Sequence, residues 1–474
     1  MTDQASATQV AVIGGGPGGY AAAFLAADLG LRVTLIDDGP DPGGVCLYRG
    51  CIPSKALLHA ARVLTEAREA SNWGIEFQPP RISLDRLRAW KGEVVTKLTG
   101  GLGQLAKQRH VEYIRGRASL LDATTLSIST IPPGARRLRF EHAILATGSL
   151  PAMLPGLPAS PRILDSTSAL ELESVPKTLL VVGGGYIGLE LGTVYAALGA
   201  EVSVVEMMEG LLPGVDRDLV SPLAKRVEKF CRKVLLKTKV AGMKEVKGGV
   251  QVKFEGPGAD GAAEVYEKVL VAVGRQPNAA IPGLERTRVE KDARGFIRVG
   301  PQRQTAEPSI YAVGDVAGEP LLAHKASHEG RTAVESIRGR KVAFEPRAIP
   351  AVVFTDPEVA WCGLTETQAA KENRPVKVAR FPWGASGRAT TLDRTDGVTK
   401  LVIDPESEQV LGVGIVGVGA GELIAEGVLA VEMAALAADV SLTIHPHPTL
   451  SETVMEAAEV FFGQATDVYR PKKP

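Results

Sequence analysis

Cysteine is scarce in this chain. There are four in 474 residues: Cys46, Cys51, Cys231 and Cys362. A small secreted scaffold built on disulfides is thereby excluded. Net charge is absent too, because 54 Lys and Arg balance 54 Asp and Glu. A neutral chain offers no charge-based case for nucleic acid or an anionic membrane as a partner. No apolar run approaches the roughly 18 residues that mark a membrane span. Met1–Gln9 is polar and lacks the basic and apolar regions of a secretory signal. A cytoplasmic, multidomain protein is the expectation. Low-complexity sequence is confined to a short Pro/Lys tail, Arg470–Pro474.

Glycine is abundant: 52 of 474 residues, against about 7% in ordinary proteins. Such an excess calls for tight turns or close backbone approaches. Hydrophobic residues make up 45% and charged residues 23%, which is globular usage and ample for several cores. At about 150 residues per domain the length suggests roughly three domains.

Two segments look alike. Gln9–Tyr20 reads QVAVIGGGPGGY, and Thr178–Leu189 reads TLLVVGGGYIGL. Each is an apolar, β-rich run followed by G-x-G-x-x-G and a helix-like stretch. The helix-like stretches are Tyr20–Leu29 and Leu189–Leu198, closed by Gly30 and Gly199. A second short strand follows each, Arg32–Ile36 and Glu201–Val205, with an acid beyond it. Gly14 to Asp37 is 23 residues, Gly183 to Glu206 is 23 residues, and the two copies are offset by 183 − 14 = 169. A lone glycine triplet is a weak signal. A strand before, a helix after and an acid at this spacing make it a dinucleotide signature. Gly14, Gly16 and Gly19, and Gly183, Gly185 and Gly188, let backbone approach a pyrophosphate at a helix N-terminus. Asp37 and Glu206 would accept from ribose hydroxyls. Glu206 is followed by Met207 and Met208, and the next Arg is Arg217. A 2′-phosphate would be repelled there, so NAD is favoured over NADP. Beyond about Pro350, strands at Val376–Phe381, Thr399–Ile403 and Val410–Val416 surround helix-like runs at Gly421–Ala438 and Thr453–Phe462, an α+β pattern.

Cys46 and Cys51 stand in GGVCLYRGCIPSK, Gly43–Lys55, just past the first acid. They could be two unpaired buried thiols. No second Cys or His pair lies nearby to complete a tetrahedral metal site. Were the two joined, a regular helix could not span them. Five residues advance about 7.5 Å along a helix, while bridged Cα atoms lie about 4.4–6.8 Å apart. A kinked turn at residues 46–51, with Gly50 absorbing the strain, is the expectation.

These residues resemble the flavin-dependent pyridine nucleotide–disulfide oxidoreductases. GGVCLYRGCIPSK is similar to that family's redox-active motif. The two dinucleotide units, ATGS, AVGRQPN, YAVGD, LAHKASHEG and HPHPTLSE follow in the family's order over essentially the whole chain. The resemblance is nearest to members that oxidise protein-bound dihydrolipoamide for 2-oxo acid dehydrogenase and glycine cleavage complexes. It implies an α/β fold with two Rossmann-like dinucleotide-binding domains and a C-terminal α+β dimerisation domain. The implied domains are residues 1–150 for FAD, 151–279 for NAD, 280–348 for the second part of the FAD and central region, and 349–474 for dimerisation. It implies that FAD is held by Gly14, Gly16, Gly19, Asp37, Lys55, Ala118, Thr147, Gly148, Ser149, Asp315 and Ala323. It implies that NAD is held by Gly183, Gly185, Gly188, Glu206, Val240 and Gly274. Cys46 would exchange disulfides with dihydrolipoamide, Cys51 would face the flavin, and Lys55 would pair with Glu190. The homodimer and a lipoyl-bearing acyltransferase or carrier protein are the implied partners, with no lipoyl domain ahead of the first unit.

His447 and Glu452 match the family's base and its orienting acid, which reach the other subunit's disulfide. Thiolate, not thiol, attacks a disulfide, so a base must take the substrate's proton. Histidine titrates near neutrality, and a carboxylate fixes its ring. Pro446 and Pro448 bracket His447 and restrict its backbone, and a cis His–Pro bond is implied. His445 reads as a structural residue. The family usually has Asn-Val where this chain has Tyr48-Arg49, which could alter access to the pair. Asp37 stands for a more usual Glu. The C-terminus lacks the extra Cys pair of mercuric reductases. Two other readings remain: a reductase for another small disulfide, such as glutathione or a mycothiol-like compound, and a non-catalytic nucleotide-binding protein. The second would tolerate loss of a cysteine, or of His447 and Glu452, yet all four are present.

Overall fold

β1 (Ser6–Ile13) is apolar and buried without a break from Val10 to Ile13, where it is covered on both sides. That is the signature of a central parallel strand. It pairs in parallel with β2 (Val33–Asp37) on one side and with Gly134–Leu145 on the other. Glu112–Asp122 and Ile310–Ala312 extend this sheet outward, again in parallel. Thr125–Thr130 runs antiparallel to both long strands and links their far ends. The computed structural model describes residues 6–257, 259 and 263–469. The first five residues and the Pro/Lys tail lie outside them.

The second unit repeats the first. Thr178–Val182 pairs with Glu201–Val205, and the register Val182↔Val205 is Ile13↔Ile36 moved by 169 positions. Its sheet has five strands, all parallel, with Lys233–Leu235 and Ile163–Leu164 at the edges. Helices α1 (Pro17–Asp28) and Tyr186–Ala197 follow the two glycine turns. Both begin about three residues before the sequence suggests. A proline at the first turn of α1 and glycines in both are tolerated there.

The C-terminal region is a five-stranded antiparallel sheet built from Ala351–Val353, Glu358–Gly363, Val410–Gly417, Val398–Ile403 and Lys377–Pro382. The continuous helix expected over Gly421–Ala438 is broken in two, Ala420–Glu432 and Ala437–Leu442. Ala434 sits at φ +55°. Nothing local demands that break, since the residues there are good helix formers. The chain leaves the helix to pair with a hairpin instead. Val410 donates to Ala435, and Ala437 donates to Glu408, each at 2.9 Å. Tertiary hydrogen bonding overrides propensity.

A buried ion cluster ties this region to the second unit. Lys400, 1% exposed, places its Nζ 2.7 Å from Asp216, 2.8 Å from Asp218 and 3.3 Å from Glu366. Arg380 joins Asp218 at 2.7 Å. No helix among the described residues is long and apolar enough to cross a membrane.

Candidate active site

The two glycine turns are built alike. Gly14 and Gly183 both sit at φ +108°. A Cβ on Gly14 would lie 2.2 Å from the Ala146 carbonyl oxygen, and one on Gly183 would lie 2.4 Å from that of Ala272. Only glycine meets both demands. Gly19 and Gly188 press helix on strand in the same way, against the oxygens of Gly14 and Gly183. Gly16 and Gly185 are the open positions, with almost nothing where a side chain would be. No side chain caps either helix. Each N-terminus therefore presents free N–H donors across an open glycine, which suits a phosphate. Asp37 and Glu206 brace the turns: Gly15 donates to Asp37 at 2.6 Å, and Gly184 donates to Glu206 at 2.7 Å. Burial holds the Asp37 carboxyl above its usual range, with the Gly15 and Gly39 N–H groups opposing it. Arg217 cannot serve a nucleotide phosphate beside Glu206. Its guanidinium is spent on the carbonyls of Leu211, Leu212 and Val215.

A cavity of about 870 Å³ opens beside the first turn. Gly14, Gly16, Asp37, Cys46, Cys51, Lys55, Ala118, Thr147, Gly148, Ser149, Glu190, Asp315 and Ala323 all line it. Gly19 lies beneath. An elongated dinucleotide fits this combination of open glycine turn, acid and long pocket. Gly183, Gly185, Gly188, Glu206, Val240 and Gly274 belong to the second unit and do not line it.

The two cysteines lie where helix α2 (Gly44–Arg49) meets α3 (Cys51–Glu69). The kink falls at Gly50, where a Cβ would crowd the Val45 oxygen at 2.9 Å. The two sulfurs are not bridged. Cys46 donates a hydrogen bond to Cys51, which drives the Cys46 thiol far up, and burial adds to the effect. The same bond brings Cys51 down to about 7 against the cost of burial, with the Lys55 charge assisting. Lys55 Nζ sits 2.7 Å from Glu190, which is 4% exposed, and 4.6 Å from the centre of the Phe354 ring. Glu190 accepts from the Phe354 N–H with its other oxygen. Further along, Ser149 donates to Asp315 at 2.5 Å and Arg275 donates to Ser149 at 2.7 Å. Asn278 and Thr147 bond to one another's backbone carbonyls.

Tyr48 is anchored through its hydroxyl, which donates to the Asp41 carbonyl at 2.9 Å and accepts from the Asp41 N–H at 3.1 Å. The ring is held toward Gly39 and Gly43, and Tyr48 lines the cavity together with Cys46.

His447 and Glu452 stand apart from this cavity. His447 Nδ1 is 2.8 Å from Glu452, whose second oxygen accepts from the Thr449 N–H at 2.7 Å. Glu452 opens the helix Glu452–Phe462, and the His447–Pro448 bond is cis. The His447 side chain is 79% exposed. Leu442 and Ile444 beside it are exposed too, as are Leu429 and Met433. His445 is the opposite case. It is buried, with one ring nitrogen 2.7 Å from Glu426 and the other 2.8 Å from the Thr443 carbonyl. One chain thus brings the cysteines, Lys55 and Glu190 together but leaves His447 and Glu452 facing outward.

Several residues at the cavity or supporting it were not singled out from sequence. Arg275 and Asn278 lie inside AVGRQPN, and Lys325 and Glu329 lie inside LAHKASHEG. Glu329 is fully buried and accepts from the Gly314 N–H at 2.6 Å. Arg303 and Lys325, each 3.0 Å away, balance its charge. That network sets the backbone carrying Asp315. The motif strings were the available signal, but they do not say which polar residue turns inward.

Comparison with known proteins agrees with this geometry. The profile of the pyridine nucleotide-disulphide oxidoreductases matches residues 8–330, and that of the family's dimerisation domain matches residues 349–458. The chain belongs to the pyridine nucleotide-disulphide oxidoreductase family. It is 49% identical to a dihydrolipoyl dehydrogenase of Haemophilus influenzae, over 98% of this chain and 97% of that one. It is 46% identical to a dihydrolipoyl dehydrogenase of Thermus scotoductus, over 96% and 98%. Among solved structures, LpdA from Mycobacterium tuberculosis superposes with a TM-score of 0.89 at 27% identity, covering 95% of this chain and 99% of that one. The flavoprotein disulfide reductase RclA of Escherichia coli gives 0.85 at 26% identity, covering 96% and 99%.

Proposed function

We propose that the protein is a dihydrolipoyl dehydrogenase, which oxidises protein-bound dihydrolipoamide and reduces NAD through a cysteine pair and FAD. The carrying observation is the pair itself. Cys46 and Cys51 sit on one kinked turn at the cavity of the first dinucleotide unit, with Lys55 and Glu190 beside them.

In the oxidised enzyme the two cysteines are joined. One substrate sulfur, as thiolate, attacks Cys46 and releases Cys51. The leaving group is then the sulfur whose anion this site favours, which speeds exchange. The second substrate sulfur attacks the mixed disulfide, closes the lipoamide ring and frees Cys46. Two electrons now reside in the dithiol. FAD, when bound, supplies the two-electron relay from that dithiol to NAD. Lys55 offers a fixed positive charge at the Cys51 end of the cavity, and buried Glu190 holds it there.

The substrate must lose protons to attack. His447, oriented by Glu452, is the base, and it acts on the cysteines of a second copy. The exposed apolar residues around it, Leu442, Ile444, Met433 and Leu429, form the surface where two copies meet. The lipoyl group arrives on an acyltransferase or carrier protein of a 2-oxo acid dehydrogenase complex, in the cytoplasm.

The test is an assay of purified protein. NADH should form rapidly with dihydrolipoamide and NAD, and glutathione with NADPH should give no turnover. A protein with bound FAD that ignores dihydrolipoamide but reduces another disulfide would replace this reading with that of a sister reductase.

A further inference from the structure

The first cavity has four cationic residues in its lining: Arg49, Lys55, Arg117 and Arg275. Three are committed within the protein. Lys55 pairs with Glu190 at 2.7 Å, Arg117 with Asp38 at 3.0 Å, and Arg275 holds Ser149 at 2.7 Å. Arg49 makes no hydrogen bond or ion pair among the described residues. The helix that carries it is nonetheless placed by its neighbours. In a helix, residues three apart share a face, so Arg49 lies beside Cys46 on the cavity side of α2. Tyr48, which lines the cavity too, anchors α2 through its two hydrogen bonds to Asp41.

The placement along the cavity is equally defined. Gly44, at the start of α2, abuts the glycine turn so closely that a Cβ there would stand 2.4 Å from the Gly16 Cα. The Arg49 charge also acts on the Asp37 carboxyl, drawing it down, and Asp37 in turn holds the Gly15 N–H. Arg49 thus lines the same cavity as Asp37, on the helix whose start meets the glycine turn. Lys55, Glu190 and Cys51 line it too.

A dinucleotide brings a doubly charged diphosphate to that turn. The α1 N-terminus supplies only about half a positive charge, and Asp37 and Asp38 lie close by. We infer that Arg49 is a cofactor-binding residue of this chain, whose guanidinium pairs with the diphosphate of the dinucleotide in the first cavity. A planar guanidinium can meet two phosphate oxygens at once. The assignment rests on FAD as the occupant. The family motif that this segment resembles has Val at this place, and an aliphatic side chain cannot make the contact.

The experiment compares wild-type holoenzyme with Arg49→Val and Arg49→Lys. Release of FAD is followed by flavin fluorescence, and binding of FAD, ADP and riboflavin by the deflavinated full chain is measured. Arg49→Val should weaken FAD and ADP by about 10- to 100-fold, the loss of one charge-assisted contact, and leave riboflavin unchanged. Arg49→Lys should recover part of the loss. Salt should weaken FAD binding more steeply in wild type than in Arg49→Val. Equal FAD affinity in wild type and Arg49→Val overturns the inference, as does a loss shared equally by riboflavin. Wild-type protein that neither carries nor takes up FAD would instead remove the cofactor reading on which it stands.

Discussion

At the residue scale the site works by dividing one charge unequally between two sulfurs. Cys46 gives its hydrogen bond to Cys51, and Lys55 adds a fixed charge, so the thiolate settles on Cys51. Reduced enzyme should gain thiolate absorbance with a midpoint near pH 7, where Cys51 titrates. Lys55→Met removes a favourable charge, so the midpoint should move upward by about one unit or more. No movement would mean that the hydrogen bond from Cys46 sets the thiolate alone. The sequence exposed the reacting sulfurs through their spacing and flanking motif. It could not rank the two acids, because that order depends on a hydrogen bond across a kink. It did separate His447 from His445, through the prolines that bracket His447 and the acid five residues on. Burial agrees, with the His445 side chain 5% exposed and that of His447 79% exposed.

At the element scale the duplicated βαβ unit was the most legible part of the chain. Its period of 169 survives into strand register and glycine dihedrals. Matching turns permit a paired prediction. Gly14→Ala and Gly183→Ala each push a methyl group onto a backbone oxygen, a strain of about 1–3 kcal/mol. Gly14→Ala should lower FAD content. Gly183→Ala should keep FAD and raise the KM for NAD about tenfold, as seen in steady-state kinetics. Loss of FAD in both variants would contradict separate cofactor turns. The helix break at Ala434 was not legible. An Ala- and Leu-rich run gives no local stop, and the hairpin that captures it begins at Gln409, well upstream in the chain.

At the scale of the whole molecule, the ion cluster around Lys400 fastens the second unit to the C-terminal sheet. Burial alone would push Asp216 up, but Lys400 and the Thr367 hydroxyl and N–H bring it down to about 2. A carboxyl depressed from 3.8 to about 2 stabilises the fold above about pH 4. That contribution fades as the pH falls through about 2. Lys400→Met leaves buried Asp216 without its cation and should cost about 3–5 kcal/mol, read as a lower urea midpoint. The acid-sensitive part of the unfolding profile should shrink with it. An unchanged midpoint would show that the cluster does not fasten the domains.

If the outward-facing His447 serves the cysteines of a second copy, as proposed, each chain is half of two workshops. Chains carrying Cys46→Ser and chains carrying His447→Gln should each be nearly inert alone. Unfolded together in equal amounts and refolded, they assort at random, and half the pairs are mixed. A mixed pair rebuilds one sound centre, from the cysteines of one parent and the histidine of the other, and its second centre inherits both lesions. Rescue to about a quarter of wild-type turnover is the expected ceiling for such a twofold assembly. Two chains that fail separately would together restore what neither encodes.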